Sequence, residues 1–317
     1  MQKNRFSFRP AFSMLELIFV IVILGIVSSI GAELIAKVYE NYIVQRALHR
    51  SSVKTELAAS QIANRLAYSI PRTIIARLDN ATFTSIDNAL AKTYNILEWV
   101  ASDADGFTAI TAAAAVGRRP GWSGFCDVND TANTTINSIS SPGSDFAVTD
   151  TIITNLSGTN AKSLSNAGIL FPGTYDENTV GFKGSPLPGD IFVSRVNTYA
   201  GTTLTLDNNN ANGVKEHYKL TWSAYAIVPT QVTGADLINR GFNATDEIYD
   251  LTLHYNFQPW DGLYYDDVAT QKTTIIRNVS VFNFIGTGDT IRFKLCVQEN
   301  IGQTYPITTC KEKAVIR

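Results

Sequence analysis

FSMLELIFVIVILGIVSSIGAE, residues 12–33, decides how the rest of the chain is read. It is apolar almost throughout, yet Glu16 places a charge near its start. A carboxylate inside a hydrophobic span costs on the order of 2.5–3.5 kcal/mol on insertion scales. A plain anchor has no use for it there. Upstream lies a short leader, residues 1–11, with Lys3, Arg5 and Arg9, no acidic residue, and the small residue Ala11 at its end.

At these residues the chain resembles the N-terminus of type IV pilins and pseudopilins. The match runs over Phe12-Ser13-Met14-Leu15-Glu16-Leu17-Ile18. The resemblance implies cleavage by a prepilin peptidase between Ala11 and Phe12, N-methylation at Phe12, and a role in assembly for Glu16, four residues on. Ala11 departs from the Gly usual in the family. In a filament of parallel helices, Glu16 would face the Phe12 α-amine of the next subunit. Pairing two buried charges offsets their desolvation, and removing one strands the other. The blander reading, Glu16 snorkelling at a membrane interface, suits a short side chain poorly.

A different reading of the same residues is a secretory signal peptide. It has a basic start, an apolar run and small residues at Ser28, Ser29, Gly31 and Ala32. Cleavage after Gly31 or Ala32 would release a soluble protein. Against this, the charge-free run Leu17–Ala32 is long for such a peptide, and Glu16 would stand at its entrance without purpose.

Beyond the apolar run the helical pattern continues. Ile35, Val38, Tyr39, Tyr42, Ile43, Ala47, Val53, Leu57, Ile62 and Leu66 recur at spacings compatible with one helix face. Lys37, Glu40, Arg46, Arg50, Lys54, Glu56 and Arg65 occupy the other. No Pro or Gly interrupts from Ala32 to Ile70, and Pro71 is expected to end the helix. A helix over Phe12–Ser69 would be roughly 85 Å long, too long for a lone membrane span. Gly25 and Ser28-Ser29 are the places where it could soften.

The expected organisation is a leader over 1–11, a helix over 12–70 with a transmembrane segment at about 13–33, and a β-rich head over 71–317. The fold class is α+β: a long helix, apolar in its first half and amphipathic in its second, packed on an antiparallel sheet. Strands are expected at Thr73–Leu78, Ile96–Val100, Ile191–Val196, Thr203–Leu206, His217–Val228, Glu247–Phe257, Thr273–Ile285 and Thr290–Gln298. Asp207–Gly213 reads as a turn and Gly286–Asp289 as a hairpin turn. Ile291, Phe293, Leu295 and Val297 alternate with Arg292, Lys294 and Cys296, so one face is core and the other wet. Residues 103–190 read as long loops with brief strands and one helix near Asp150–Leu156. The layout and size of this head are similar to those of large minor pilins and minor pseudopilins.

Chemistry has little support. The 317 residues carry a net charge of −2 and only 17% charged side chains, which gives no footprint for nucleic acid. No nucleophile elbow, zinc-protease, P-loop or dinucleotide motif occurs. His49 falls on the long helix, and His217 and His254 fall in expected strands. Asp103 and Asp105, then Asp127 and Asp130, form acidic loop clusters that hard oxygen chemistry would let hold calcium. Asp261 with Asp266-Asp267 forms another. None has EF-hand spacing, and solvated turn residues are the blander reading of each. Asp127–Thr131 also fits a bacterial N-glycosylation sequon. Cys296 and Cys310 are candidates for a disulfide, which requires an oxidising compartment. Cys126 is left to pair with either or to stay reduced.

The expectation is a structural subunit, not an enzyme. It would be a minor pilin or pseudopilin of a type II secretion or type IV pilus filament. It would be held in the bacterial inner membrane by one span, with its head in the periplasm or on an extracellular filament. Its partners would be prepilin peptidase and other pilin-like subunits. The alternative is a secreted or anchored β-rich adhesin or ligand-binding protein that uses residues 1–32 only for export; an anchored periplasmic hydrolase is a third option.

Overall fold

The computed structural model describes residues 13–89, 94–111, 117–130, 137–185, 191–207, 214–301 and 305–316. Two compact units result, Met1–Arg50 and Ser51–Arg317. Helix α1, Met14–Leu66, begins in the first and ends in the second. It passes through Gly25 and Ser28-Ser29 without a break. The arrangement is α+β.

The second unit contains two antiparallel sheets among its described residues. The larger orders its eight strands as Tyr305–Ile316 (β13), Thr290–Ile301 (β12), Gln271–Thr287 (β11), Tyr249–Phe257 (β10), Ala224–Gln231 (β9), Ile96–Val100 (β3), Ile75–Arg77 (β1) and Phe83–Ser85 (β2). The smaller orders five as Ser138–Ser140 (β4), Thr203–Leu206 (β7), Ser194–Ala200 (β6), Gly168–Leu170 (β5) and Lys219–Thr221 (β8).

The larger sheet and the end of α1 share a core. Ala58, Ala59, Ile62 and Leu66 pack with Leu97, Trp99, Ile227, Leu253, Phe293 and Leu295. Ser51 and Thr55 are buried on the same helix, and the Thr55 hydroxyl donates to the Ser51 carbonyl at 2.7 Å, so this buried donor is satisfied within the helix. Charges hold the edge of this contact. Glu56 accepts a hydrogen bond from Lys313 and lies 3.6 Å from Lys311, and Lys54 donates to Glu299 at 2.9 Å. Lys313 and Lys311 hold the Glu56 carboxyl below its usual range.

A second core belongs to the smaller sheet and helix α3, Phe146–Ser157. Trp122, Phe146, Ile153, Ile169, Phe171, Leu204 and Leu220 fill it. The region that reads as loops in the sequence therefore supplies a hydrophobic core of its own. Its apolar residues are too dispersed to show strand periodicity, and β4 and β5 are three residues each.

Several expected boundaries change. α1 stops at Leu66, not Ser69. Ser69 Oγ donates to the Leu66 carbonyl at 2.6 Å, Ile70 N–H donates to Val100 at 2.9 Å, and Ser69 bridges Ala101. Pairing with the end of β3 thus draws the chain out of the helix before Pro71. The Thr73–Leu78 run contributes only Ile75–Arg77. His217–Val228 is two strands in two sheets: β8 pairs with β5, whereas β9 pairs with β10 and β3. α3 starts at Phe146, earlier than expected. β13 is a further strand with no expectation from the sequence: the run Thr308-Thr309-Cys310-Lys311-Glu312-Lys313 shows no apolar alternation, as suits an edge strand. Cys296, expected on the wet face, is 2% exposed, covered through its bond to β13.

One charge pair is fully enclosed. Arg77 Nε of β1 donates to Glu98 Oε2 of β3 at 2.8 Å. Arg77 Nη1 donates to the carbonyls of Asp79 and Lys183. The guanidinium lies over the rings of Phe83 and Tyr265, 5.1 and 5.3 Å from their centroids. Burial pushes the Glu98 carboxyl upward, and the Arg77 charge opposes it.

The helix contact yields a contrast. Replacing the buried Ile62 with Ala is expected to cost about 2–5 kcal/mol. Replacing Leu57, which is 66% exposed, is expected to cost less than about 0.5 kcal/mol. Urea unfolding of the full chain in detergent, followed by tryptophan fluorescence, measures both.

Candidate functional site: an uncovered apolar helix

Ser13 and all residues through Ile30 are exposed, including Leu17, Ile18, Phe19, Val20 and Ile21. Large exposed side chains continue through Ile35, Val38, Tyr39 and Tyr42. By length and composition this helix is able to cross a membrane. Monomeric soluble proteins rarely leave an apolar surface of this extent uncovered. The Glu33–Lys37 pair, at 2.7 Å, brings charge back to the helix surface after the apolar run.

Glu16 sits in the first turn of α1. Its N–H donates to Ser13 Oγ at 3.3 Å and to the Ser13 carbonyl at 3.0 Å. The order Ser13-Met14-Leu15-Glu16 has the spacing of a capping box, a helix-start signal legible in the sequence, and the bond to Ser13 Oγ is its first half. A carboxylate at this position also opposes the positive end of the helix dipole. Ala11 and Phe12 lie outside the described residues.

The cysteines divide cleanly. Cys296 and Cys310 are disulfide-bonded and stand directly opposite each other on β12 and β13. Cys126 is a buried thiol whose pKa is pushed up to about 11 by burial, then by Asp127 and Asp130.

Asp103, Asp127, Asp261 and Asp266 have structural work. Asp103 caps helix α2, Ala104–Thr108. Its carboxylate accepts from Gly106 N–H at 3.0 Å and Trp122 Nε1–H at 3.1 Å. Burial, with a smaller contribution from Asp105, raises its pKa to about 6. Asp105 itself is exposed. Asp127 Oδ1 accepts from Asn129 N–H at 3.0 Å, a turn of the Asx type. Asp130 is half-buried. Asp261 pairs with Arg195 and Asp266 with Lys183, each at 2.7 Å. Among the described residues no three His, Cys, Asp or Glu side chains gather into a group that could hold a metal. Thr131 of the glycosylation sequon lies outside the described residues.

A cleft of about 420 Å³ opens beside Asp103, with Arg65, Tyr68, Asp105, Trp222 and Tyr225 among its lining residues. Arg65 lies over the Tyr225 ring, 5.4 Å from its centroid. A carboxyl with a raised pKa in a cleft is the usual sign of acid–base chemistry. Here both carboxylate oxygens receive structural donors, and the cap accounts for the burial. His49 and His217 are exposed. His254 is buried, its Nδ1 is 2.6 Å from the Tyr265 carbonyl, and burial lowers its pKa.

No family model, no curated protein and no solved structure matches the chain. What stands is a long N-terminal apolar helix followed by a β-sheet head.

Asp103 predicts a pH dependence. Its folded pKa, about 6, exceeds the model-compound value of 3.8. The folded state therefore holds the proton more tightly. The associated stability is complete below pH 3.8 and is lost as pH rises to about 6, by roughly 3 kcal/mol at most. The difference in unfolding free energy between the native chain and Asp103→Asn should drop across that window and stay flat above it. Cys126, buried with a raised pKa, should resist iodoacetamide in the native chain and react fully in urea. Mass spectrometry of the alkylated protein measures this.

Proposed function

We propose that the chain is a type IV pilin-like structural subunit. In this reading it is a minor pilin or minor pseudopilin of a type II secretion or type IV pilus filament, and it performs no catalysis. The observation that carries the reading is the uncovered apolar helix with a carboxylate in its first turn, behind a basic leader. Lipid covers such a helix before assembly, and neighbouring helices cover it afterwards. Prepilin peptidase cleaves between Ala11 and Phe12, and Phe12 is N-methylated. Glu16 then faces the Phe12 amine of an adjacent subunit. Until that pairing, the chain is held in the inner membrane by one span, with its head on the periplasmic side. The head caps, initiates or recognises, and its disulfide suits an oxidising compartment.

The start of α1 favours a second reading. Ser13 Oγ takes the Glu16 N–H, and a carboxylate in the first turn is favourable beside the positive end of the helix dipole, a local use of Glu16 that needs no neighbour. Residues 1–32 would then serve export or anchoring alone, and the head would be an adhesin or ligand-binding module.

Two measurements separate these. The mature chain, purified from membranes of cells that contain prepilin peptidase, should begin at N-methylated Phe12 by mass spectrometry. A start near Ala32 or Glu33 overturns the filament reading. Glu16→Gln keeps a residue suited to the third capping-box position and removes the charge. It should leave insertion and cleavage intact and abolish incorporation into sheared filaments. Unchanged incorporation would overturn the assembly role of Glu16 and leave its charge only the helix dipole to act on.

A further inference from the structure

The larger sheet forks. β11 and β12 pair from their hairpin, Thr287 opposite Thr290, back to Val279 opposite Val297. Beyond that point β11 continues from Asn278 to Gln271 paired only with β10. β12 continues from Gln298 to Ile301 paired only with β13. Each strand therefore turns one backbone edge towards the fork with no ladder partner there among the described residues. Asn278 N–H donates to Asp250 Oδ1 of β10 at 3.1 Å. Unpaired edges of this kind are templates for a further strand.

A cleft of about 620 Å³ lies at the fork, between Thr274–Asn278 of β11, Val297 and Glu299 of β12, and the Lys54–Gln61 stretch of α1. Leu57 faces it and is 66% exposed, although its neighbours Ala58 and Ala59 are buried. At the same fork Asn300 Nδ2 donates to the Gly241 carbonyl at 2.6 Å, while Asn300 Oδ1 is buried and accepts no hydrogen bond among the described residues. The charged lining residues are Lys54, Arg240, Arg277 and Glu299. Lys54 is held by Glu299, and Arg240 by Asp236 and Asp250. Arg277 is exposed and joins no ion pair among the described residues.

We propose that this fork is a docking slot for one extended segment of a partner protein, added as a strand beside β11. The segment sets an apolar side chain on Leu57 and a carboxylate on Arg277. Main-chain hydrogen bonds supply affinity, and these two contacts supply selectivity. Charge argues for a partner over a second copy. A second copy would bring the same edge, residues 271–278, which carries Lys272 and Arg277 and no carboxylate to set on Arg277, and like charges across strands are destabilising. The reading stands independently of the filament assignment.

Amide hydrogen exchange on the full chain in detergent micelles tests it. The probe is a capped synthetic peptide alternating valine with aspartate; a counterpart with lysine for aspartate is the control. In the chain alone, the fork-facing amides of 271–277 should exchange at least tenfold faster than those of 280–286. The aspartate peptide should slow them tenfold or more, and the lysine peptide should not. Arg277→Glu and Leu57→Asp, both at exposed positions, should lose the effect with the remaining exchange pattern unchanged. No slowing at 271–277, or slowing that survives both substitutions, overturns the proposal. Protection that grows with chain concentration in the absence of peptide assigns the edge to a second copy and overturns it equally.

Discussion

Burial of Ala58, Ala59, Ile62 and Leu66 against the larger sheet is the contact on which the rest of the head depends. Small residues on that face, Ser51, Thr55, Ala58 and Ala59, keep the helix close to the strands. The same contact determines where the helix ends. Once Leu66 is buried, Ile70 is within reach of Val100, and sheet pairing replaces helical hydrogen bonds. Glu56 with Lys311 and Lys313, and Lys54 with Glu299, then fix the helix against β12 and β13. Exposed pairs like these are each worth little. Their effect is to select a register for a contact that hydrophobic burial already favours.

The enclosed Arg77–Glu98 pair is a different kind of constraint. It joins two neighbouring strands and draws in the carbonyls of Asp79 and Lys183. A buried pair seldom adds net stability over an apolar replacement, but losing one partner leaves an uncompensated charge. It therefore penalises any arrangement that separates β1 from β3. Asp103 works similarly on a smaller scale. Its burial is costly, and its hydrogen bonds to Gly106 and Trp122 tie α2 to the second core.

Glu16 shows how one residue can satisfy two physical demands. As the fourth residue of a Ser-x-x-Glu sequence it suits a helix start, and its charge opposes the dipole. These effects are typically worth about 1 kcal/mol or less each in an exposed setting. That is less than the cost of placing a carboxylate in hydrocarbon. The cap accounts for the helix start, and the proposed pairing with a neighbour accounts for a charge beside an apolar run.

The sequence by itself determined what depends on local pattern. The long helix, its apolar first part, the strands near Ile96–Val100, Glu247–Phe257 and Thr273–Gln298, and the α+β class all follow from periodicity over many residues. Tertiary structure alone decided what depends on residues distant in the chain. The division of His217–Val228 between two sheets, the core assembled from residues 103–185, the edge strand opposite Cys296 and the fork at Val279 and Val297 leave no periodic trace. Each is set by which surface lies opposite once α1 is buried, because a strand's partner is chosen by long-range packing and not by its own side-chain pattern.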